Sequence, residues 1–561
     1  MLRSLLTLGL LFGTVATAFA AQCPSGSSQP RALLAGDSWA NFMWTDGSYN
    51  QLFDHFGHAD QAMLSRAADN QDPGYDGPEY AISGSEARDW ANRQDFPWIS
   101  NVVDELVANP TIDLVVLSIG GNDVLAGRTE GGWYKDMDLD APGSEAALFQ
   151  RLEDDTRAIA DAVQAVRPDI EVLLSSYDYP NLNVSFLWCW AFACPLRDRL
   201  SRDPVGDEIS DAEINAMMVD VEGRRIGWSN ADPRMSFDNA LGLMHALYGD
   251  GVAAPGVLPR PGLTPPDYSP FPGGNPALPT LRQNFRPFLG ADADPIHLSV
   301  AGYRDKIRHQ MEGFFLPRFR GQPDLTVSSE GQSRDGWSNG ATAGTDAVRV
   351  GDDATGPVAG IASFDLSDRP AGARITAASL YLQRRGQRGD NPFASGDLGT
   401  PILDLVAGTF GAPEVEAGDA TAAADASDVG CFHGRVEEDG AALRIDLTGP
   451  ALDFLESAQR VQIRITFPTI DGGEDGVDFA TGDDLLGPPT EWRTLVVPQT
   501  LADGRVEMVE TVLELPRERG LGDVLGSPAP ILDLYFEAGS GPLFADGFES
   551  GDLGAWSASL P

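Results

Sequence analysis

The sequence is poor in basic residues, and lysine is almost missing from it. Lys135 and Lys306 are its only lysines, and 39 lysines and arginines together stand against 83 aspartates and glutamates. The formal net charge is −44, so the chain should repel a phosphate backbone, and we expect no nucleic-acid partner. Life in salty surroundings and GC-rich coding would each produce this composition, and the sequence leaves both alternatives open.

Cysteine and histidine are scarce as well. The four cysteines and six histidines form no cluster with the spacing of a structural zinc site, and we expect neither a metal nor an organic cofactor. Cys189 and Cys194 are close enough in sequence for a disulfide in an exported chain. Cys23 and Cys431 either pair across domains or stay free.

Long apolar runs are missing after the N-terminus. No later segment reaches the ~18 apolar residues of a transmembrane helix. The N-terminus itself has a basic Arg3, an apolar run from Leu5 to Phe12, and small residues in Ala18-Phe19-Ala20. This pattern predicts a signal peptide over residues 1–20 that is cleaved near Ala20. The apolar run is too short for a membrane anchor, so we expect a secreted, periplasmic or cell-surface protein.

The rest of the chain is too long for one hydrophobic core. Short apolar runs at 31–35, 113–119 and 170–175 alternate with helical patterns, which predicts a parallel sheet covered by helices, an α/β domain over residues 21–318. Short alternating runs then predict an all-β sandwich over 319–541. A glycine-rich tail at 542–561 completes the predicted organisation.

Four polar motifs lie in the first predicted domain. Gly36-Asp37-Ser38 and Gly120-Gly121-Asn122-Asp123 follow predicted strands, and ligands of α/β sheets bind beyond the carboxyl ends of strands. Ser83-Gly84-Ser85 and Asp294-Pro295-Ile296-His297 complete the set. Each motif alone is common in turns and loops. Together and in this order, they resemble the SGNH (GDSL-type) family of serine esterases and lipases over roughly half of the chain.

The resemblance implies a three-layer α/β/α fold and a defined set of catalytic groups. Ser38 would be the nucleophile, His297 its general base, and Asp294 the carboxylate that orients the imidazole. The backbone N–H groups of Ser38 and Gly84 and the side-chain amide of Asn122 would form the oxyanion hole.

The sequence departs from the family pattern in three places. Trp39 follows Ser38 where a smaller residue is common, Leu298 follows His297 where proline is frequent, and the segment 180–290 is long. Because of this long segment, the sequence does not define the substrate pocket. Trp39, Phe42 and Trp44 either line an acyl pocket or form the buried face of a helix.

Other polar residues near the motifs are assigned to the structure. Asp37 and Asp123 are expected to accept hydrogen bonds from turn backbones and so to hold Ser38 and Asn122 in place. Four further histidines are expected to be structural: His55, His58, His245 and His309.

The second region has a resemblance of its own. The segments GIASFDLSDRPAGARITAASLYLQ, RIDLTGPALDFL and ILDLYFE are similar to the DNRLRE-type β-sandwich attached to secreted bacterial enzymes and surface proteins. This resemblance implies carbohydrate binding or surface attachment. A structural spacer is the alternative.

The sequence therefore predicts an exported serine ester hydrolase that acts on a lipid or acetylated-glycan ester. The alternatives are a polysaccharide O-acetyl esterase whose sandwich holds the glycan, and a non-catalytic surface-binding protein. Because the segment near Arg318–Pro323 separates helical from strand-patterned sequence, we expect few contacts between the domains. The whole catalytic set lies upstream of this segment. A chain ending near Gly321 should then fold and hydrolyse small esters.

Overall fold

The computed structural model describes most of the chain between residues 29 and 537. The described ranges are 29–66, 79–124, 144–180, 211–249, 268–276, 280, 282–285, 293–486, 490–500, 506–516 and 519–537. The predicted signal peptide, Cys23, Cys189, Cys194 and the C-terminal tail lie outside them. No helix within these ranges combines the length and hydropathy of a bilayer crossing.

The first unit is built on a parallel sheet of five strands in the order β2-β1-β3-β4-β5. Its strands are β1 (Ala32–Gly36), β2 (Met63–Leu64), β3 (Leu114–Ser118), β4 (Glu171–Ser175) and β5 (Met235–Asp238). Every residue of β1 and β3 is buried, as expected where helices cover both faces of a parallel sheet. The three apolar runs that predicted strands form β1, β3 and β4, which confirms an α/β fold.

Helices cover the sheet on both faces. They are α1 (Ser38–Thr45), α2 (Tyr49–His55), α3 (Ala87–Ala91), α4 (Trp98–Ala108), α5 (Gly121–Val124), α6 (Ser144–Gln164), α7 (Asp211–Asn230), α8 (Leu243–Tyr248) and α9 (Val300–Gln310). A π-helical turn, Met311–Phe315, leads into α10 (Leu316–Arg320). Helices α3, α4 and α6 bury their apolar side chains on one face of the sheet, and α1, α2 and α9 bury theirs on the other.

The second unit is an antiparallel β-sandwich, as predicted. One sheet pairs β8 (Leu325–Ser328), β21 (Ile531–Phe536), β13 (Ile375–Arg388), β16 (Ala442–Leu447) and β15 (Gly430–His433). The other pairs β10 (Ala343–Gly344), β9 (Gly336–Ser338), β12 (Gly356–Asp365), β17 (Arg460–Thr466) and β14 (Ile402–Ala407). Strands β11 (Val348–Asp353) and β18 (Gly476–Phe479) join β12 to β13 and so connect the two sheets. The side chains between the sheets form one apolar core.

Smaller elements complete the described residues. They are the antiparallel pair β6 (Gln283–Phe285) and β7 (Ala293–Leu298), the hairpin β19 (Thr490–Thr500) and β20 (Val506–Pro516), the helices α11 (Pro392–Ser395), α12 (Gly449–Ser457) and α13 (Leu521–Leu525), and a 3₁₀ turn at Ala417–Ala420. Cys431 on β15 is disulfide-bonded, so it does not stay free. Its partner lies outside the described residues.

The two units share a hydrophobic core, so the prediction of few contacts between them is wrong. The rings of Phe53, Phe315 and Phe319 pack together with centroids 5.1–5.6 Å apart. Tyr381 from β13 of the sandwich belongs to the same apolar cluster, as do Ala442, Leu521 and Ile531. A chain that ended near Gly321 would lack these four side chains, so apolar residues of the first unit that pack against them would become more exposed.

Arg444 of the sandwich completes the interface with charged contacts. The guanidinium is buried, donates to Nδ1 of His58, and lies 2.7 Å from a carboxylate oxygen of Asp60. It also reaches Asp446 on its own strand at 3.1 Å. Burial and the adjacent guanidinium lower the pKa of His58 to about 3, so His58 stays neutral and accepts the hydrogen bond. Its expected structural role is confirmed.

We predict that Arg444→Ala weakens the attachment of the sandwich. Hydrogen bonds to charged groups contribute ~1.5–3 kcal/mol each, and the substitution strands Asp60 beside an apolar interface. The stability in urea should fall by about 2–4 kcal/mol, and one cooperative transition should split into two.

The matched control is Arg464→Ala. Arg464 is equally buried but bonds only within the sandwich, to Asp404 and to the carbonyl oxygens of Asp419 and Ala422. It should destabilise the sandwich without uncoupling the units. A single, unshifted transition in Arg444→Ala would show that the charged contacts are dispensable.

Candidate active site

The first strand of the parallel sheet ends in a close approach to its neighbour. Gly36 pairs with Ser118 in register, and the next N–H, that of Asp37, donates to the carbonyl oxygen of Ser118 at 2.8 Å. Gly36 has φ +140°, and a Cβ atom built there would lie 1.8 Å from that carbonyl oxygen. Only glycine fits this turn, which directs the chain out of β1 and into α1.

Asp37 then caps the helix that Ser38 begins. One carboxylate oxygen accepts the N–H of Trp39 at 2.9 Å, and the other accepts the hydroxyl of Tyr177 at 2.6 Å. The prediction that Asp37 bonds the turn backbone is confirmed. The side chain is buried, and this burial raises its pKa to about 6 against the opposing effect of these hydrogen bonds.

Ser38 and His297 meet although 259 positions separate them in the chain. Nε2 of His297 lies 2.7 Å from Oγ of Ser38, so a neutral imidazole can accept the hydroxyl proton. His297 lies on β7, and Ser299 caps the following helix α9 by accepting the N–H of Gly302. The side chain of Asp294, on the same strand, lies outside the described part, so its role stays a prediction.

The second and third motifs lie against the first. The N–H of Ile82 donates to the carbonyl oxygen of Gly36 at 2.8 Å, which brings the loop with Gly84 to the end of β1. Gly84 has φ +79°, a left-handed conformation that glycine adopts without strain. The side-chain amide of Asn122 donates one hydrogen to the carbonyl oxygen of Ser85 at 3.0 Å, which leaves its second hydrogen for another acceptor.

The aromatic residues after Ser38 divide between core and site. Trp39 is 2 % exposed and packs edge-on against Tyr177 and Tyr303, so it belongs to the buried face of α1. Phe42 is half-buried, and its ring lies 4.7 Å from that of His297. Trp44 is half-buried against the same apolar cluster.

Buried charged groups near Ser38 were not predicted from the sequence. Arg225 and Glu222 of α7 form an ion pair at 2.9 Å, and Arg225 lies over the ring of Tyr177. Lys306 of α9 pairs with Asp238 of β5 at 3.4 Å. The rarity of lysine marked Lys306 in the sequence, whereas the partners of the other groups follow only from the folded chain.

One group of carboxylates among the described residues is close enough to share a cation. It consists of Asp352, Asp471 and Asp475, whose oxygens lie within 4.8 Å of one another in the sandwich. Asp352 accepts the backbone N–H groups of Asp471 and Asp475, so these contacts already satisfy it.

Comparisons with known proteins give little beyond general likeness. No family model matches the chain, and no curated protein matches it. Similar solved structures include a carbohydrate esterase family 3 protein from Talaromyces cellulolyticus (12% identity, TM-score 0.27, 52% of this chain and 100% of that chain). Others are the family 3 carbohydrate esterase of Clostridium thermocellum (16%, 0.24, 52% and 100%) and an extracellular lipase from Streptomyces rimosus (19%, 0.24, 44% and 93%). These values are too low to assign a function.

We predict that Gly36→Ala disrupts both the fold and the site. The new methyl group would overlap the carbonyl oxygen of Ser118, and the residue would hold a backbone conformation that alanine disfavours. Backbone strain costs ~1–3 kcal/mol and overpacking a similar amount, so urea unfolding should reveal a loss of roughly 2–5 kcal/mol.

Gly356→Ala separates these two effects. Gly356 has φ +155°, but a Cβ atom there would meet nothing within 4 Å. It should show only the backbone strain. Equal losses in the two variants would contradict the close approach at Gly36.

Proposed function

We propose that the protein is an exported serine ester hydrolase. One observation supports this proposal above the others: the hydroxyl of Ser38 lies 2.7 Å from Nε2 of His297, at the carboxyl edge of a parallel sheet. Ligands of such sheets bind beyond that edge. Ser38 itself is 7 % exposed, so it can be reached from solvent only through a restricted opening.

The reaction would begin with attack of Ser38 Oγ on the ester carbonyl carbon. His297 would accept the hydroxyl proton at Nε2, and the carbonyl oxygen would become an oxyanion in a tetrahedral intermediate. Collapse of this intermediate would break the bond to the alcohol oxygen, which takes the proton from His297. Water would then attack the acyl-enzyme in the same way and release the acid. Asp294 would hold the imidazole in the required tautomer.

Three donors would stabilise the oxyanion. They are the backbone N–H groups of Ser38 and Gly84 and the second amide hydrogen of Asn122. The contacts of their loops with Gly36 and Ser85 support this assignment, because they bring the three motifs to one edge of the sheet. A donor of this kind accounts for ~10²–10³-fold in rate.

The substrate class is proposed as a carboxylic ester of a lipid or of an acetylated glycan. Phe42 offers an apolar surface beside His297, against which an acyl chain could lie. A panel of nitrophenyl esters of increasing acyl length would measure this preference. Acetate release from acetylated xylan, compared with hydrolysis of long-chain glycerides, would distinguish a glycan deacetylase from a lipase.

We predict that Ser38→Ala abolishes ester hydrolysis while the fold remains. Loss of the nucleophile should lower kcat by ~10⁴-fold or more, since the remaining groups can only polarise the ester. Release of nitrophenol from a soluble acetate ester measures this loss, and circular dichroism checks the fold.

Ser229→Ala is the matched control. Ser229 is also a buried serine, but it donates only to the carbonyl oxygen of Ile226 within α7. Its turnover should equal that of the natural chain. A folded Ser38→Ala protein with unchanged turnover would refute the assignment of the nucleophile.

A further inference from the structure

Two of the three predicted oxyanion donors, the backbone N–H of Gly84 and the side-chain amide of Asn122, come from separate parts of the chain. Gly84 lies in the loop before α3, and Asn122 lies in α5, directly after β3. Two hydrogen bonds join these elements. One is the bond from the amide of Asn122 to Ser85, and the other runs from the N–H of Ala87 to the carboxylate of Asp123 at 2.8 Å.

Asp123 therefore binds the end of the Gly84 loop from a different helix, α5. Ala87 is the first residue of α3, and its N–H has no partner within the helix. Asp89, a residue of α3 itself, stabilises the start of the helix by accepting the N–H of Glu86 at 3.0 Å. Asp123 instead ties the turn to α5, the helix that also carries Asn122, because its own backbone belongs to that helix.

The surroundings of Asp123 disfavour a charged carboxylate at this position. Its second carboxylate oxygen is buried and has no hydrogen-bond partner among the described residues. Glu86 and Asp155 are the acidic groups that face it, and Arg151 is the basic group. Burial, assisted by the two acidic neighbours, raises its pKa to about 7. A neutral side chain could accept one N–H at lower cost.

We propose that Asp123 is a positioning residue that holds the loop with Gly84 at a fixed distance from Asn122. This inference rests on the proposed ester hydrolysis, in which both groups donate to one oxyanion. Without the bond to Asp123, the loop would be joined to α5 only through the amide of Asn122, which must also serve the substrate. A displacement of about 1 Å between catalytic groups costs on the order of 10²-fold in rate.

The kinetic test compares Asp123→Ala with Asp123→Asn. The alanine variant loses the acceptor, so kcat should fall by roughly 10–100-fold while KM changes by less than about threefold, because ground-state binding does not need the oxyanion donors. The asparagine variant keeps an acceptor oxygen, and its kcat should stay within about threefold of the natural value. An alanine variant with natural kcat, or an asparagine variant as slow as alanine, would overturn the proposal.

Asp335→Ala is the control for lost stability. Asp335 is a buried carboxylate in the sandwich that accepts bonds from Ser329, Gly331, Ser363 and Gly482. Its removal should lower the unfolding temperature and leave kcat unchanged. If kcat of Asp335→Ala fell as much as kcat of Asp123→Ala, general destabilisation would explain the loss in both variants, and the proposal would be overturned.

Hydrogen exchange separates this proposal from the proposed function. In Asp123→Ala, the amides of residues 83–87 should exchange at least tenfold faster, and in Asp123→Asn they should keep their protection. Unchanged exchange in Asp123→Ala would overturn the positioning role even in an active enzyme. If the natural chain hydrolysed no ester but the exchange behaved as expected, the proposed function alone would fail.

Discussion

The close approach of two parallel strands at Gly36 is the constraint on which the candidate site depends. The missing side chain of Gly36 leaves room for the carbonyl oxygen of Ser118, which then accepts the N–H of Asp37. The carbonyl oxygen of Gly36 in turn accepts the N–H of Ile82. Three segments that are distant in sequence thus meet at one turn, and Ser38 is presented beside them because Asp37 caps its helix.

Paired charges hold the helices behind this turn. Arg225 and Glu222 are both fully buried, and Arg225 donates to the carbonyl oxygen at the end of β4. Lys306 connects α9, the helix that follows His297, to Asp238 on β5. Removing one partner of a buried pair leaves an uncompensated charge, which typically costs ~3–5 kcal/mol. Different interactions therefore position the serine and the histidine: the turn capped by Asp37 places Ser38, and the ion pair of Lys306 with Asp238 anchors the helix after His297.

The sequence predicted those features that depend on local pattern. Buried strands appear as continuous apolar runs, and the turn at Ser38 follows from its glycine and aspartate. Contacts between distant elements were not predictable in the same way. Tyr177 follows a strand with no local sign that its hydroxyl reaches Asp37. Arg444 stands between apolar residues on its strand, a pattern that predicts a side chain facing solvent. In the structure the first unit buries this side chain. Periodicity shows which face of an element is apolar but not which surface covers it.

The interface between the two units changes how the sandwich relates to the α/β unit. Only Gly321–Asp324 separate α10 from the first strand of the sandwich, and Arg320 at the end of α10 bonds Asp533 at 2.5 Å. A flexible linker would leave the two units free to reorient and would act through effective concentration. Here apolar and charged contacts fix one orientation, and Glu438 of the sandwich reaches Arg304 on α9 at 3.7 Å. The sandwich therefore contacts the helix that follows His297, and its loss would remove this contact.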